Sequence, residues 1–238
     1  MDVLVLVRSV PRPGEPASLL GRAPAPGTFL LESGEGVGPS DLAVHASAPA
    51  LRIRSVGRRV EAEALRPSGL SWLRALRPPE GLRAVGGGAR SLRFLAPGPP
   101  AAGASLEDRI GNPSALDLVR AFLPVRLRGE PASVPGGFFG AFGYDLVSSF
   151  EPLPEPPVRP GDDPDLELYL CDRLWVYERS SGTSHAVCVV PVGEGGERRA
   201  LHEAREGLAE VRDRIRRAGG PMRPGPAGPP GPVRTDFA

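Results

Sequence analysis

The sequence predicts an α+β fold: a mainly antiparallel β assembly, drawn as one sheet or as two packed sheets, with helices on its outside. Three observations carry this. Short segments such as Leu51 to Val56 and Arg59 to Leu65 alternate apolar and polar residues around a turn glycine, Gly57. Two long apolar segments flank the polar turn Arg179-Ser180-Ser181-Gly182-Thr183. Near the end of the chain, Leu201, Ala204, Leu208, Val211 and Ile215 repeat with helical spacing.

In chain order, Met1 to Val7 is an apolar run that begins with Asp2 close by and is closed by Arg8. It is far too short for a membrane span and has the wrong charge for a secretory leader, so it reads as a buried first strand. After a Pro/Gly loop, Thr28 to Glu32 is a second short strand running into Ser33 and a Gly-rich turn. The Leu51 to Leu65 hairpin follows. Ser68 is placed to cap a short helix that carries Leu70, Leu73 and Leu76, and Arg90 to Leu95 is a further strand. Gly86-Gly87-Gly88 between them reads as a loop, and it lacks the Lys-Ser/Thr of a phosphate loop.

Ser114 starts a second helix in capping-box style, with Asp117 at the third position. Leu118, Phe122 and Val125 follow helical spacing, but Pro124 ends the regular part, so the helix is expected over residues 115 to 123. Leu166 to Glu178 and Ser184 to Val192 form a hairpin, with Trp175 and Tyr177 on one face. The helix through Leu201 to Ile215 stops before Gly219-Gly220. Residues 1 to 218 are therefore expected to form one domain. Residues 219 to 232 are too rich in Pro and Gly to bury a core and read as an extended linker, followed by Val233 to Ala238.

A chain of 238 residues with a formal charge of +1 has no basic stripe of the kind that phosphate backbones select, which argues against a nucleic-acid partner. No run is long enough for a membrane helix, and the expectation is a soluble, cytoplasmic protein. All 29 basic residues are arginine, and the 31 Gly and 30 Pro accompany that bias as a preference in codons more than in chemistry. Cys171 and Cys188 are read as two reduced core thiols, a disulfide being the alternative that the pair allows by number. His45, His185 and His202 have no metal-site spacing and are expected at the surface or at an edge. Asp162, Asp163 and Asp165 suggest either a metal loop or a turn before a strand; the adjacent prolines and the missing glycine of a calcium loop favour the turn.

Residues 136 to 144 interleave four glycines with four aromatics (Gly136-Gly137-Phe138-Phe139-Gly140-Ala141-Phe142-Gly143-Tyr144), and Asp145-Leu146-Val147 follow. Glycine admits positive φ and close backbone approach, while the aromatics supply buried faces. Two readings stand: a core strand and turn with Tyr144 and Phe150 as packing anchors, or an element that passes a signal to a neighbouring domain.

This run, with Gly140, Gly143, Tyr144 and Asp145 as its marker residues, resembles the glycine-aromatic Tyr-Asp-Leu-Val segment in the N-terminal domain of anthranilate synthase component I, a chorismate-utilising enzyme. Phe29-Leu30-Leu31-Glu32-Ser33 is similar to the Leu-Leu-Glu-Ser of the same family. Ala50-Leu51-Arg52-Ile53, Leu153-Pro154, Asp163-Pro164-Asp165 and Tyr169-Leu170 follow in family order.

The resemblance implies the family's N-terminal fold and a link to the conversion of chorismate and glutamine or ammonia into anthranilate, a lyase step of tryptophan biosynthesis. It places the reacting chorismate, the Mg2+ and the acid/base groups in a C-terminal domain, of which Val233 to Ala238 resemble only the first few residues and which no other segment here resembles. No catalytic residue, metal ligand or cofactor is therefore assigned to this chain. The implied partners are a separately encoded chorismate-binding domain and a glutamine amidotransferase component.

The resemblance also implies a feedback role, with L-tryptophan bound at Leu31, Glu32 and Ser33. Ser33 as a plain cap on the turn at Gly34 is the alternative. Some members place a lysine near the positions held here by Ala43 and Val44, and this chain has no lysine. Tryptophan binding by the chain alone is accordingly expected to be weak. The component I of aminodeoxychorismate synthase has a similar N-terminal domain, and a stand-alone amino-acid-binding module is the remaining alternative.

Overall fold

In the first strand, odd and even positions bury against different partners, and that pattern sets the architecture. The computed structural model describes residues 1–13, 16–21, 24–33, 41–123, 125–151, 153, 163–193 and 195–218. The elements of its first half are β1 (Asp2–Ser9), a 3-10 turn at Pro16–Leu20, β2 (Phe29–Glu32), β3 (Leu42–Ala46), β4 (Leu51–Val56), β5 (Arg59–Ala64), α1 (Pro67–Ala75), β6 (Arg83–Gly88) and β7 (Ser91–Leu95). The second half adds α2 (Leu106–Gly111), α3 (Ala115–Arg120), β8 (Arg126–Gly129), β9 (Gly137–Phe142), a 3-10 turn at Tyr144–Ser149, β10 (Leu166–Cys171), β11 (Arg173–Glu178), β12 (Thr183–Pro191) and α4 (Gly196–Ala218).

The fold is α+β, with two six-stranded sheets among the described residues. One runs β2-β3-β11-β12-β1-β8 and the other β6-β7-β5-β4-β10-β9. All pairings are antiparallel except that of β1 with β8. Val3 and Val5 of β1, with Leu174, Val176, Val187 and Val189, face Leu51, Ile53, Leu166 and Leu168 of the other sheet in one core. Leu4 and Leu6 point the other way, and with Ala186, Cys188 and Val190 they meet Ala200, Ala204 and Leu208 of α4. The first sheet is therefore the middle of three layers, buried on both faces, as its nearly unbroken apolar strands require. Small residues let α4 approach closely: a Cβ at Gly207 would lie 2.4 Å from Cys188 Sγ.

Several local expectations change. Leu166 to Glu178 is two strands, not one: Asp172 separates β10 in one sheet from β11 in the other. Cys188 therefore pairs across from Arg173, while Cys171 lies against Gly137, and both cysteines are free thiols. Burial pushes each thiol up to about 12.

Gly86 to Gly88 is an exposed edge strand instead of a loop, because β7 offers a free edge and glycine adapts to the bulge between Ala84 and Gly86. Ser68 lies inside α1 and makes no cap. The helix begins at Pro67, whose fixed φ suits the first helical position. α3 ends at Arg120, earlier than residue 123, and Val125 lies beyond it. Pro124 and residues 219 to 238, including the expected linker, fall outside the described residues.

The glycine-aromatic segment is β9, an edge strand paired with β10, followed by the 3-10 turn. Phe138 packs edge-on against Phe122, and Phe139 stacks on Phe29 at 5.8 Å. Tyr144 is 91% exposed, so it is not a packing anchor; Leu146 takes that place, and Phe150 is partly buried against the core. Gly140 has φ +158°, and a Cβ there would lie 2.1 Å from the Glu167 carbonyl oxygen of β10. Gly140→Ala should therefore lower stability by about 1–3 kcal/mol. Gly137→Ala, with open space around its Cβ, should change it by less than about 0.5 kcal/mol. Urea midpoints of the two variants compare them, and equal midpoints would contradict the assigned close approach.

Candidate functional site

β2 is the outer strand of the first sheet, so one of its edges carries no strand among the described residues. Leu31 lies on it opposite Val44, and Glu32 opposite Ala43. Leu31 is half exposed, and Glu32 is exposed. Ser33 closes the pair: its N–H donates to the Leu42 carbonyl at 2.9 Å, and its Oγ accepts from Leu42 N at 2.8 Å. The Ser33 hydroxyl reaches Asp41 Oδ1 at 3.0 Å. Ser33 thus fastens the end of the β2–β3 pair beside two carboxylates, while the turn at Gly34 lies outside the described residues.

Arg179 completes the group. It comes from the turn between β11 and β12, and its backbone N–H donates to Asp41 O at 2.9 Å. Its Nη2 meets Glu32 Oε1 at 2.7 Å, and its Nε lies 3.5 Å from Asp41 Oδ1. One guanidinium therefore bridges two acidic groups around Ser33, all only partly shielded from water. Ala43, near the place where some family members carry lysine, is fully buried, so no cation enters from β3. Arg179 supplies one from the far side of the hairpin. Nothing local in the sequence marks it, because it lies 147 positions from Glu32 and appears only as a turn residue.

The other marker residues sit elsewhere. Gly143 N donates to Asp165 O at 2.7 Å, and Asp165 Oδ2 accepts from Gly57 N at 2.6 Å. These bonds tie the segment and the Asp163 region to the β4–β5 turn, a structural use of Asp165. Asp162 lies outside the described residues. Among the described residues no three His, Cys, Asp or Glu side chains group as metal ligands, and no helix is long and apolar enough to cross a membrane. His202 is exposed on α4 and His185 is half-buried on β12. His45, expected at the surface or an edge, is instead 3% exposed, because β3 is an inner strand under the Leu19 turn and α4.

A second polar group lies under α1 and α4. Arg173 is buried and pairs with Glu210, which Arg66 Nη2 also meets at 2.5 Å. Asp172 is 1% exposed, and burial pushes its carboxyl up while Arg173 pulls it down. Glu203 beside it is likewise raised, first by burial and then by Asp172.

No family model matches the chain. Over 155 residues it is 32% identical to a curated protein, "Anthranilate synthase" of Azospirillum brasilense. The match covers 64% of this chain and 21% of that relative, so the chain spans about a fifth of the relative's length. A solved structure, anthranilate synthase component I from Streptococcus pneumoniae TIGR4, aligns with a TM-score of 0.38 and 14% identity, covering 86% of this chain and 34% of the other. The resemblance read from the sequence is matched by this similarity to an anthranilate synthase over 64% of the chain.

Proposed function

We propose that this chain is the N-terminal, regulatory part of an anthranilate synthase component I, inactive by itself, whose Leu31-Glu32-Ser33 edge takes part in binding L-tryptophan. The observation that carries this reading is the 32% identity to anthranilate synthase over 155 residues. The geometry supports the amino-acid role. Glu32 and Asp41 offer carboxylates to an ammonium group, Arg179 offers a guanidinium to a carboxylate, and half-exposed Leu31 offers apolar surface. A zwitterion with an apolar side chain matches that set.

The remaining walls of the pocket, the chorismate site and its Mg2+ belong in this reading to a separate chorismate-binding domain, with a glutamine amidotransferase component supplying ammonia. An edge open to water leaves much of an indole solvated, so isolated binding should be weak, with Kd on the order of millimolar. Two measurements test this. Anthranilate fluorescence with chorismate, Mg2+ and an ammonia source should show no turnover by this chain, and turnover once a chorismate-binding domain is added. Calorimetric titration with L-tryptophan should show weak binding that tightens at least about tenfold with that domain and is weakened by Arg179→Ala. Turnover by the chain alone, or submicromolar binding without the domain, would overturn the proposal.

A further inference from the structure

Between β3, β11, the start of α1 and the last turns of α4 lies a small pocket of about 20 Å3, room for one water-sized group. Trp175 and Ile215 give it an apolar side. Three guanidiniums also line it, those of Arg66, Arg173 and Arg214, against the single carboxylate of Glu210. Arg66 and Arg173 share that carboxylate. Asp172, 3.9 Å from Arg173 Nε, answers one more charge, which still leaves one of the three cations without a counter-ion. That cation is Arg214, which makes no hydrogen bond and no ion pair among the described residues. Burial, and then the charge of Arg66, lower the Arg214 guanidinium from its ordinary value, and Arg214 is in turn the second cause, after burial, of the lowered pKa of His45. His45 and Arg66 border the pocket from β3 and from the start of α1, so the exposed Arg214 stands over its mouth. Ser47, just past β3, adds a hydroxyl with no hydrogen bond among the described residues. Arg66 Nη1 holds the next carbonyl, that of Ala48, at 3.1 Å and so fixes this turn beside its own guanidinium.

We propose that this pocket binds a small inorganic oxyanion of the phosphate or sulfate kind, with one oxygen inside it and the others at the mouth on the Arg214 guanidinium and the Ser47 hydroxyl. The site goes beyond the tryptophan reading, which concerns the β2 edge, and shares no residue with it. Three features select the ligand. The surplus positive charge calls for an anion, and the same surplus helps to hold the neighbouring His45 neutral. A guanidinium presents parallel N–H donors that two oxygens of one oxyanion accept together, a fit that a single-atom halide cannot match. The inner space admits one oxygen but no apolar body, so an indole or other ring stays outside. Water competes for the exposed Arg214, so the affinity is modest.

The test is a two-dimensional NMR titration of the full, 15N-labelled chain at pH 7 with sodium phosphate, sodium sulfate and sodium chloride at matched ionic strength. Phosphate and sulfate should give saturable shifts, with Kd on the order of millimolar, at the Ser47 and Ile215 amides, the Trp175 indole N–H and the Arg214 side-chain N–H. Chloride should bind at least about fivefold more weakly. Arg214→Gln should weaken sulfate binding at least about tenfold, and Arg214→Lys, which keeps the charge but not the fork, at least about threefold. Arg217→Gln removes an equal charge one turn along α4 but outside the pocket, and should change the affinity by less than about twofold. Both positions are exposed, so these variants keep the fold. Equal affinity for chloride, sulfate binding unchanged in Arg214→Gln, an equal loss in Arg217→Gln, or shifts that do not saturate would each overturn it.

Discussion

Gly69→Ala is expected to destabilise the protein by about 3 kcal/mol, near the upper end for a single added methyl group. Gly69 is buried in the first turn of α1, and a Cβ there would lie 2.0 Å from the Ala50 carbonyl oxygen, 2.9 Å from its carbonyl carbon and 3.0 Å from Ala64 Cα. All three obstacles are backbone, so no rotamer change relieves the overlap. The Ala50 carbonyl is moreover fixed by two donors, Leu65 N at 2.9 Å and Arg66 N at 3.4 Å. Moving the helix outward would break those bonds and uncover Trp72 and Leu73, both buried in the main core. Alanine's better helix propensity, worth up to about 1 kcal/mol over glycine, is too small to offset this. Gly111→Ala, where a Cβ meets nothing within 4 Å, isolates that propensity and should be neutral or slightly stabilising. Urea denaturation of the two variants decides the point, and a Gly69→Ala midpoint within error of the unsubstituted chain would show that α1 is free to shift.

The same kind of contact explains what the sequence could and could not disclose. The β4–β5 hairpin is legible because each strand has one buried and one half-exposed face, so apolar and polar residues alternate. β3, with Ala43 to Ala46 all buried, has no such alternation, and its small residues and histidine carry little strand signal. β8 and β6 are exposed throughout, and their pairing rests on backbone bonds to β1 and β7 that leave no side-chain pattern. The single apolar run from Leu166 to Glu178 conceals a change of sheet at Asp172, because β10 and β11 contribute to the same core from opposite sides. α4 is readable from its period, although Ala200 and Gly207 are buried on it too, and Gly207 lies against Cys188.

The candidate site follows the same division. Leu31, Glu32 and Ser33 stand out only through family resemblance, and nothing in their local pattern separates them from any strand end. Arg179 and Asp41, which give that edge its charge, are brought there by the pairing of β3 with β11. Long-range pairing, not residue type, makes this edge.

His45 should make the protein sensitive to acid. Burial first, and the positive charge of Arg214 second, lower its pKa from 6.5 to about 4. Its Nε2 has no partner among the described residues, so nothing there rewards a proton on that nitrogen. In the unfolded chain the imidazole takes up a proton near pH 6.5, while the folded chain resists doing so until about pH 4. The neutral form's contribution to stability is therefore complete above pH 6.5 and is lost as the pH falls through the interval down to about 4. At about 1.4 kcal/mol per unit, the whole loss is about 3 kcal/mol. Asp172 and Glu203, whose carboxyls are raised, act with the opposite sign, favouring the fold as the pH falls. They mask part of the effect in the unsubstituted chain, so the difference against a non-titrating variant is the quantity to measure. His45→Gln keeps the size and polarity of the side chain but does not titrate. Between pH 7 and pH 4 the unsubstituted chain should lose about 3 kcal/mol relative to His45→Gln, read from urea unfolding at each pH. Parallel profiles would show that the His45 pocket opens to water before the imidazole is charged, so that its burial under α4 and the Leu19 turn is not maintained in solution.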